Sequence, residues 1–266
     1  MKKVASILFK ACAILYVLVC IHLYFFQEKM IFAPEKLSAL HSFHFNADFQ
    51  EMNIQTSDSE SLNGLLFKAD SSKGLIFYLH GNGGCVDSWG EISKVYTDLH
   101  YDLFMLDYRG YGKSSGEISS QEQLFSDVQL AYDKLKLVYP ENKIIILGYS
   151  IGTGLATKLA SENEPKHLIL QAPYYSLTDM MKDRYPIIPT FLLKYKLATD
   201  EFIRKCKMPI TIFHGDKDEV ISHKSSFRLK ELMKPTDELI ILRGAGHNGM
   251  SDNTEYLKIL KLLLEK

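Results

Sequence analysis

The sequence predicts one doubly wound α/β domain behind a single N-terminal membrane-spanning helix. Two patterns carry that expectation. Short apolar runs alternate along the chain with stretches of helical period, the arrangement of a parallel sheet covered by helices on both faces. Ahead of them, Val4 to Phe26 is apolar except for Ser6, Lys10 and His22. The composition agrees: 266 residues, 46% hydrophobic and 24% charged, exclude a disordered or low-complexity chain and leave ample length for a buried core.

As a helix, Val4–Phe26 would reach about 34 Å at ~1.5 Å per residue, enough for a hydrocarbon core of ~30 Å. Lys10 lies one or two turns from the N-terminal end and can snorkel to that headgroup layer. A cleaved signal peptide needs small residues just after the apolar run, and this run ends in Leu-Tyr-Phe-Phe-Gln. A lipoprotein signal ending at Cys20 is disfavoured by the bulk of Val19. Residues 1–26 are therefore read as an uncleaved anchor. They hold Lys2, Lys3 and Lys10 and no acid, so the formal −1 of the chain leaves −4 for residues 27–266. Positive charge on the short side keeps the N-terminus cytoplasmic and puts the domain on the extracytoplasmic side, periplasmic or extracellular. The near-neutral balance excludes a phosphate-neutralising nucleic-acid binder.

Residues 27–48 read as a polar and aromatic connector, and residues 49–266 as the α/β domain. Phe49–Thr56 and Leu62–Ala69 are two early strands joined by a Ser/Asp/Glu turn, a hairpin pattern. Leu75–Leu79 is a third strand, followed by a helical stretch near Val86–Leu99, and Leu103–Leu106 is the fourth. Gln121–Val138 places Leu124, Phe125, Val128, Ala131, Tyr132, Leu135 and Val138 on one helical face, ended by Pro140. Ile144–Leu147, Leu168–Leu170, Ile210–Phe213 and Leu239–Leu242 complete the set of buried strands.

The chemistry concentrates at strand ends. Gly148-Tyr149-Ser150-Ile151-Gly152 is a G-x-S-x-G directly after one strand and before a helix over Leu155–Ser161, the context in which a tight turn lifts a serine above a sheet. A serine hydroxyl needs a base and an orienting acid. His247, in the glycine-rich loop after Leu239–Leu242, is the expected base. The acid is Asp216 or Asp218, after Ile210–Phe213. Asp218 is preferred because it stands further beyond the strand end, and Asp216 suits a turn-forming role. An oxyanion hole needs preorganised N–H donors, for which Ile151 and Asn82 are the candidates, with Gly83 as alternate to Asn82. His80 suits orienting its loop better than catalysis.

Taken together, HGNGG (80–84), DYRGYGKSSG (107–116), GYSIG (148–152), HGDKDEV (214–220) and GAGHN (244–248) resemble the α/β-hydrolase superfamily. Within it the chain is most similar to small serine hydrolases with an N-terminal signal anchor. The resemblance covers about residues 28–266. It implies a mostly parallel eight-stranded sheet with helices on both faces, no large cap domain, a nucleophile at Ser150, an acid at Asp218 and a base at His247. It also implies a structural role for Arg109 and Tyr108, and hydrolysis of carboxylic esters or thioesters without a cofactor. Asp216 departs from the family pattern, where an uncharged residue is usual. A peptidase of the same fold and a binding protein on a retired scaffold are the alternatives.

Residues 173–208 form the one long insertion between strands. Its apolar side chains, among them Tyr174, Tyr175, Met180 and Tyr185, either roof an acyl pocket above Ser150 or pack as an ordinary connection. Thirty-six residues are too few for a large cap. Cys85 and Cys206 are expected to be free thiols, with a disulfide between them as the alternative, and no Cys/His spacing suggests a metal site. Gly110–Ser114 mimics a phosphate-binding loop but lacks its first glycine, and Gly244–Gly249 lies too near the C-terminus for a dinucleotide fold.

Overall fold

The computed structural model describes residues 1–265. Eight short runs pair into one sheet: β1 (Phe49–Gln55), β2 (Ser61–Phe67), β3 (Leu75–Leu79), β4 (Asp102–Leu106), β5 (Ile144–Tyr149), β6 (His167–Gln171), β7 (Ile210–Gly215) and β8 (Glu238–Leu242). Their spatial order is β8-β7-β6-β5-β3-β4-β2-β1. Only β2 runs against its neighbours, forming a hairpin with β1 and an antiparallel pair with β4. Thr56 closes the hairpin, its N–H donating to Glu60 O at 2.9 Å.

Alternation within a strand sends side chains to two cores. From β3, Leu75, Phe77 and Leu79 enter one core, while Ile76 and Tyr78 enter the other. All five are buried, which is why the run reads as continuously apolar. The first core is covered by α4 (Gln121–Lys136), whose Leu124, Val128, Ala131, Tyr132 and Leu135 are buried, and by α5 (Gly152–Glu162). The Ser120 side chain caps α4 by accepting from Gln123 N–H. Helix α4 stops before Leu137, leaving Val138 exposed rather than on the apolar face. The second core is covered by α9 (Thr254–Glu265) through Tyr256, Leu260 and Leu264.

The stretch after β3 is not one helix. It breaks into α2 (Val86–Trp89), a 3₁₀ turn and α3 (Ser93–Thr97). Gly90 sits at the break, where a Cβ would come within 2.5 Å of the Phe45 ring. Helix α1 (Lys2–Ile31) extends past residue 26, with its helical geometry interrupted at Phe26 itself. The connector is partly ordered by the sheet side of the molecule: Ala33 and Pro34 pair in parallel with Gly83 and Gly84, and Lys36 bridges Gly112. The insertion holds α6 (Leu177–Arg184), a 3₁₀ turn at Thr190–Leu192 and α7 (Thr199–Ile203); α8 (Lys224–Lys230) follows β7. No residue of α6 is buried.

Arg109 fixes the loop after β4. Its guanidinium donates to both oxygens of Asp127, at 2.8 and 2.9 Å, and to both oxygens of Asp58, at 2.6 and 3.0 Å. Cys85 and Cys206 are buried free thiols.

Candidate active site

The parallel strands deliver the candidate residues to one sheet edge. Beyond β5 the backbone reverses at Ser150 with φ +51°, left-handed space that costs a non-glycine residue ~1–3 kcal/mol. Neighbouring contacts hold it there: Ser150 N–H donates to Gln171 O at 2.9 Å, and Thr153 Oγ1 donates to Ser150 O at 2.6 Å. The two motif glycines are required by space. A Cβ on Gly148 would lie 2.6 Å from Gly152 O, and one on Gly152 would lie 2.1 Å from Leu79 O.

Asp218 follows β7 and His247 follows β8, and the two meet Ser150. His247 Nδ1–H donates to Asp218 Oδ2 at 2.7 Å, and His247 Nε2 accepts from Ser150 Oγ at 3.0 Å. The carboxylate is anchored on its other side, where Asp218 Oδ1 accepts from the N–H groups of Val220 (2.8 Å) and Ile221 (2.7 Å). Burial pushes this carboxyl up. The hydrogen bonds from His214, His247 and the Ile221 N–H outweigh it and hold the group well below the ordinary carboxylate range. Asp216 points elsewhere, its Oδ1 accepting from Gly244 N–H at 2.7 Å.

Two contributors escaped sequence reading. Fully buried His214 places Nε2 3.2 Å from Asp218 Oδ2 and 2.9 Å from Ile221 O, while its Nδ1 accepts from Ser226 Oγ at 2.7 Å. Tyr149, the second residue of GYSIG, donates its hydroxyl to His247 O. Position four before Asp218 was the available sign for His214. Nothing in a linear reading links Tyr149 to a loop ninety-eight residues away.

Asn82 and Ile151 border the same cavity as Ser150. The Asn82 side chain is already committed: Nδ2 donates to Ile31 O at 2.8 Å, and Oδ1 accepts from Ala33 N–H and from the Tyr111 hydroxyl, both at 3.0 Å. Its backbone N–H is therefore the group left to meet a ligand. His80 is fully buried with Nδ1 2.7 Å from Gly81 O, and Tyr108 donates to His80 O at 2.8 Å. Burial lowers His80 to about 4 and raises the neighbouring Asp107 carboxyl to about 7.

The cavity measures about 400 Å³, within the range of small-molecule sites. Of the insertion tyrosines and methionine singled out in the sequence, Tyr174, Met180 and Tyr185 line it. Tyr175 does not, because its ring lies beneath the Arg228 guanidinium, 3.7 Å from ring centre to the cation. Among the described residues, no group of three His, Cys, Asp or Glu side chains could hold a metal ion.

A strand order of this kind, a left-handed serine between β5 and α5, and an aspartate and a histidine after β7 and β8 identify the fold. The chain belongs to the α/β-hydrolase superfamily. A hydrolase family described as "Serine aminopeptidase, S33" matches residues 70–199. Protein bem46 of Schizosaccharomyces pombe is 30% identical over 190 residues, covering 66% of this chain and 63% of its own. Human α/β hydrolase domain-containing protein 17B is 33% identical over 198 residues, covering 72% and 66%. The chain thus spans slightly less than two thirds of the length of these relatives. An esterase of Pyrococcus furiosus superposes with TM-score 0.71 at 19% identity, over 88% of this chain and 97% of the esterase. That likeness extends the α/β-hydrolase fold across the sheet and helices described above.

Proposed function

We propose that this hydrolase is a serine esterase or thioesterase acting through an acyl-enzyme on Ser150. The observation that carries the reading is the continuous Ser150–His247–Asp218 hydrogen-bond chain at the end of an apolar cavity. Ser150 Oγ attacks the substrate carbonyl carbon as its proton passes to His247 Nε2. The carbonyl oxygen becomes an oxyanion, held by the N–H groups of Ile151 and Asn82. His247 returns the proton to the departing alcohol or thiol. Water then attacks the acyl-enzyme, giving its proton to His247, and the acid leaves as Ser150 is reprotonated. Asp218 fixes the imidazole tautomer throughout, and His214 and the 220–221 N–H groups hold Asp218.

The same reading takes α1 as a membrane anchor. An 18-residue window of it has mean hydropathy 2.5 and no burial inside the protein. Anchored with its lysine-bearing end in the cytoplasm, it would hold the domain on the extracytoplasmic side. The family description raises aminopeptidase activity as a second reading. Recognition of a free α-ammonium calls for a carboxylate at the cavity, and the lining contains none, its one charged side chain being Arg184. The ester reading therefore stands ahead.

The test is active-site labelling of the full chain with a fluorophosphonate. Ser150→Ala should abolish labelling and lower ester turnover by up to about 10⁶-fold, the scale for losing a serine nucleophile. Folded wild-type protein that takes up no label at Ser150 would end the esterase reading.

A further inference from the structure

The cavity at Ser150 is not closed by the hydrolase domain alone. Leu23, Gln27, Met30 and Ile31 of α1 line it together with residues of the insertion. We propose that α1 is part of the substrate site, and that the cavity opens between α1 and the insertion into the adjoining membrane leaflet, from which the substrate's acyl chain enters. This rests on the esterase and anchor readings above and specifies where the acyl group comes from.

The contacts along α1 argue for it. The buried Gln27 amide spans to the insertion, Nε2 donating to Leu192 O at 3.0 Å and Oε1 accepting from Lys194 N–H at 2.8 Å. Glu28 pairs with Lys194 Nζ at 2.6 Å and accepts from the Tyr195 hydroxyl at 3.1 Å. Further down the helix, Tyr16 donates its hydroxyl to Ile187 O at 2.7 Å. The eleven steps from Tyr16 to Gln27 span about 16 Å at ~1.5 Å each, close to half of a ~30 Å hydrocarbon layer. The insertion therefore follows the helix over the depth of one leaflet.

Non-helical backbone at that depth must have its polar groups satisfied by protein. Several are paired here: Ile188 N–H bonds Tyr185 O at 2.9 Å, and Leu192 and Leu193 N–H groups close local turns at 3.1 Å each. Tyr16 and Gln27, two polar side chains on this apolar helix, take the carbonyls of Ile187 and Leu192. Meanwhile the insertion turns its apolar side chains outward, with Ile187 74% and Phe191 81% exposed. Beside the exposed apolar surface of α1, these form a patch suited to lipid rather than water. The end of α1 also reaches the chemistry, because Ile31 O and Ala33 N–H hold the Asn82 side chain and so set the loop proposed to bind the oxyanion.

The experiment uses the full chain in phosphatidylcholine vesicles and compares dodecanoyl with acetyl 4-nitrophenyl esters. Leu23→Trp and Met30→Trp fill the wall and should lower the dodecanoyl-to-acetyl ratio of kcat/KM about 10-fold or more, since single methylene changes in a pocket shift selectivity by ~10-fold and upward. Leu15→Trp, on the same helix outside the cavity, should leave the ratio unchanged. Equal ratios in wall and control variants would overturn the proposal. Should the tryptophan variants lose fluorophosphonate labelling, Leu23→Ala and Met30→Ala should shift preference to longer chains, and an unshifted preference overturns it equally. Independently, Phe191→Trp should add fluorescence quenched by phosphatidylcholine brominated on its acyl chains, whereas unquenched emission places the insertion outside the leaflet. The quenching does not depend on Ser150, so failure of labelling in the unaltered chain counts against the esterase reading and failure of quenching against this one.

Discussion

The two sides of the cavity are built differently. On the sheet side, Ser150, Asp218 and His247 follow the C-terminal ends of β5, β7 and β8, and hydrogen bonds hold each in place. On the opposite side, α6 has no buried residue, and Ile187 and Phe191 project outward. On the proposed mechanism the hydrogen-bonded sheet side would carry the reacting groups, and the loosely packed side would shape what reaches them. Such a division lets loop sequence change substrate without moving the chemistry. It also sorts substitutions by outcome: sheet-side changes at the site should cost rate at every acyl length, whereas insertion-side and α1 changes should alter the ranking of acyl lengths.

The sharpest comparison on the sheet side comes from Asp218→Asn. The amide keeps the shape but stabilises the wrong histidine tautomer, so kcat should fall by about 10⁴-fold for short and long esters alike. The same substitution has a signed consequence for stability. The folded carboxylate titrates below its ordinary ~3.9, so its ionised form stabilises the fold above that value. That contribution disappears as pH falls through the folded pKa. Unfolding of the parent should therefore steepen below about pH 4, and Asp218→Asn should flatten that acid limb in pH-dependent denaturation. A selective loss on long esters would instead blur the division between the two sides.

Arg109→Ala probes packing remote from the reacting atoms. Removing the guanidinium strands buried Asp127 without its partner, and breaking a buried pair of this kind costs about 3–5 kcal/mol. Urea denaturation should report that loss, while turnover per folded molecule and acyl-length preference stay at parental values. Lysine should restore little, because one ammonium cannot reproduce two forked contacts.

How much of this was legible in the sequence follows the same divide. The strand runs and the G-x-S-x-G turn are local patterns, and the sheet places them as the patterns imply. The order serine, acid, histidine is likewise set by successive strand ends. What escaped detection is contact between distant segments: Tyr149 on the His247 loop, His214 behind Asp218, and the wall that α1 supplies. Residues 27–34 looked like a connector because their partners, Asn82 to Gly84 and the 192–195 segment, lie far along the chain. Tyr175 shows the converse limit: its composition suited a pocket wall, but Arg228 captured its ring.

The smallest expected effect decides between the two aspartates that the sequence left open. Asp216 spends its carboxylate oxygen on Gly244 N–H at the entrance to the histidine loop, and makes no contact with His247 among the described residues. Asp216→Ala should therefore remove one charge-assisted hydrogen bond, worth about 1.5–3 kcal/mol at most and less at a partly exposed turn. Catalysis responds only through the seating of the loop. Its kcat should stay within a few-fold of the parent, against the roughly 10⁴-fold fall expected of Asp218→Asn. Steady-state kinetics of both variants on one short ester make the comparison directly. Comparable losses would mean that Asp216 shares the imidazole, and the single hydrogen bond from His247 Nδ1 to Asp218 would no longer describe the working site.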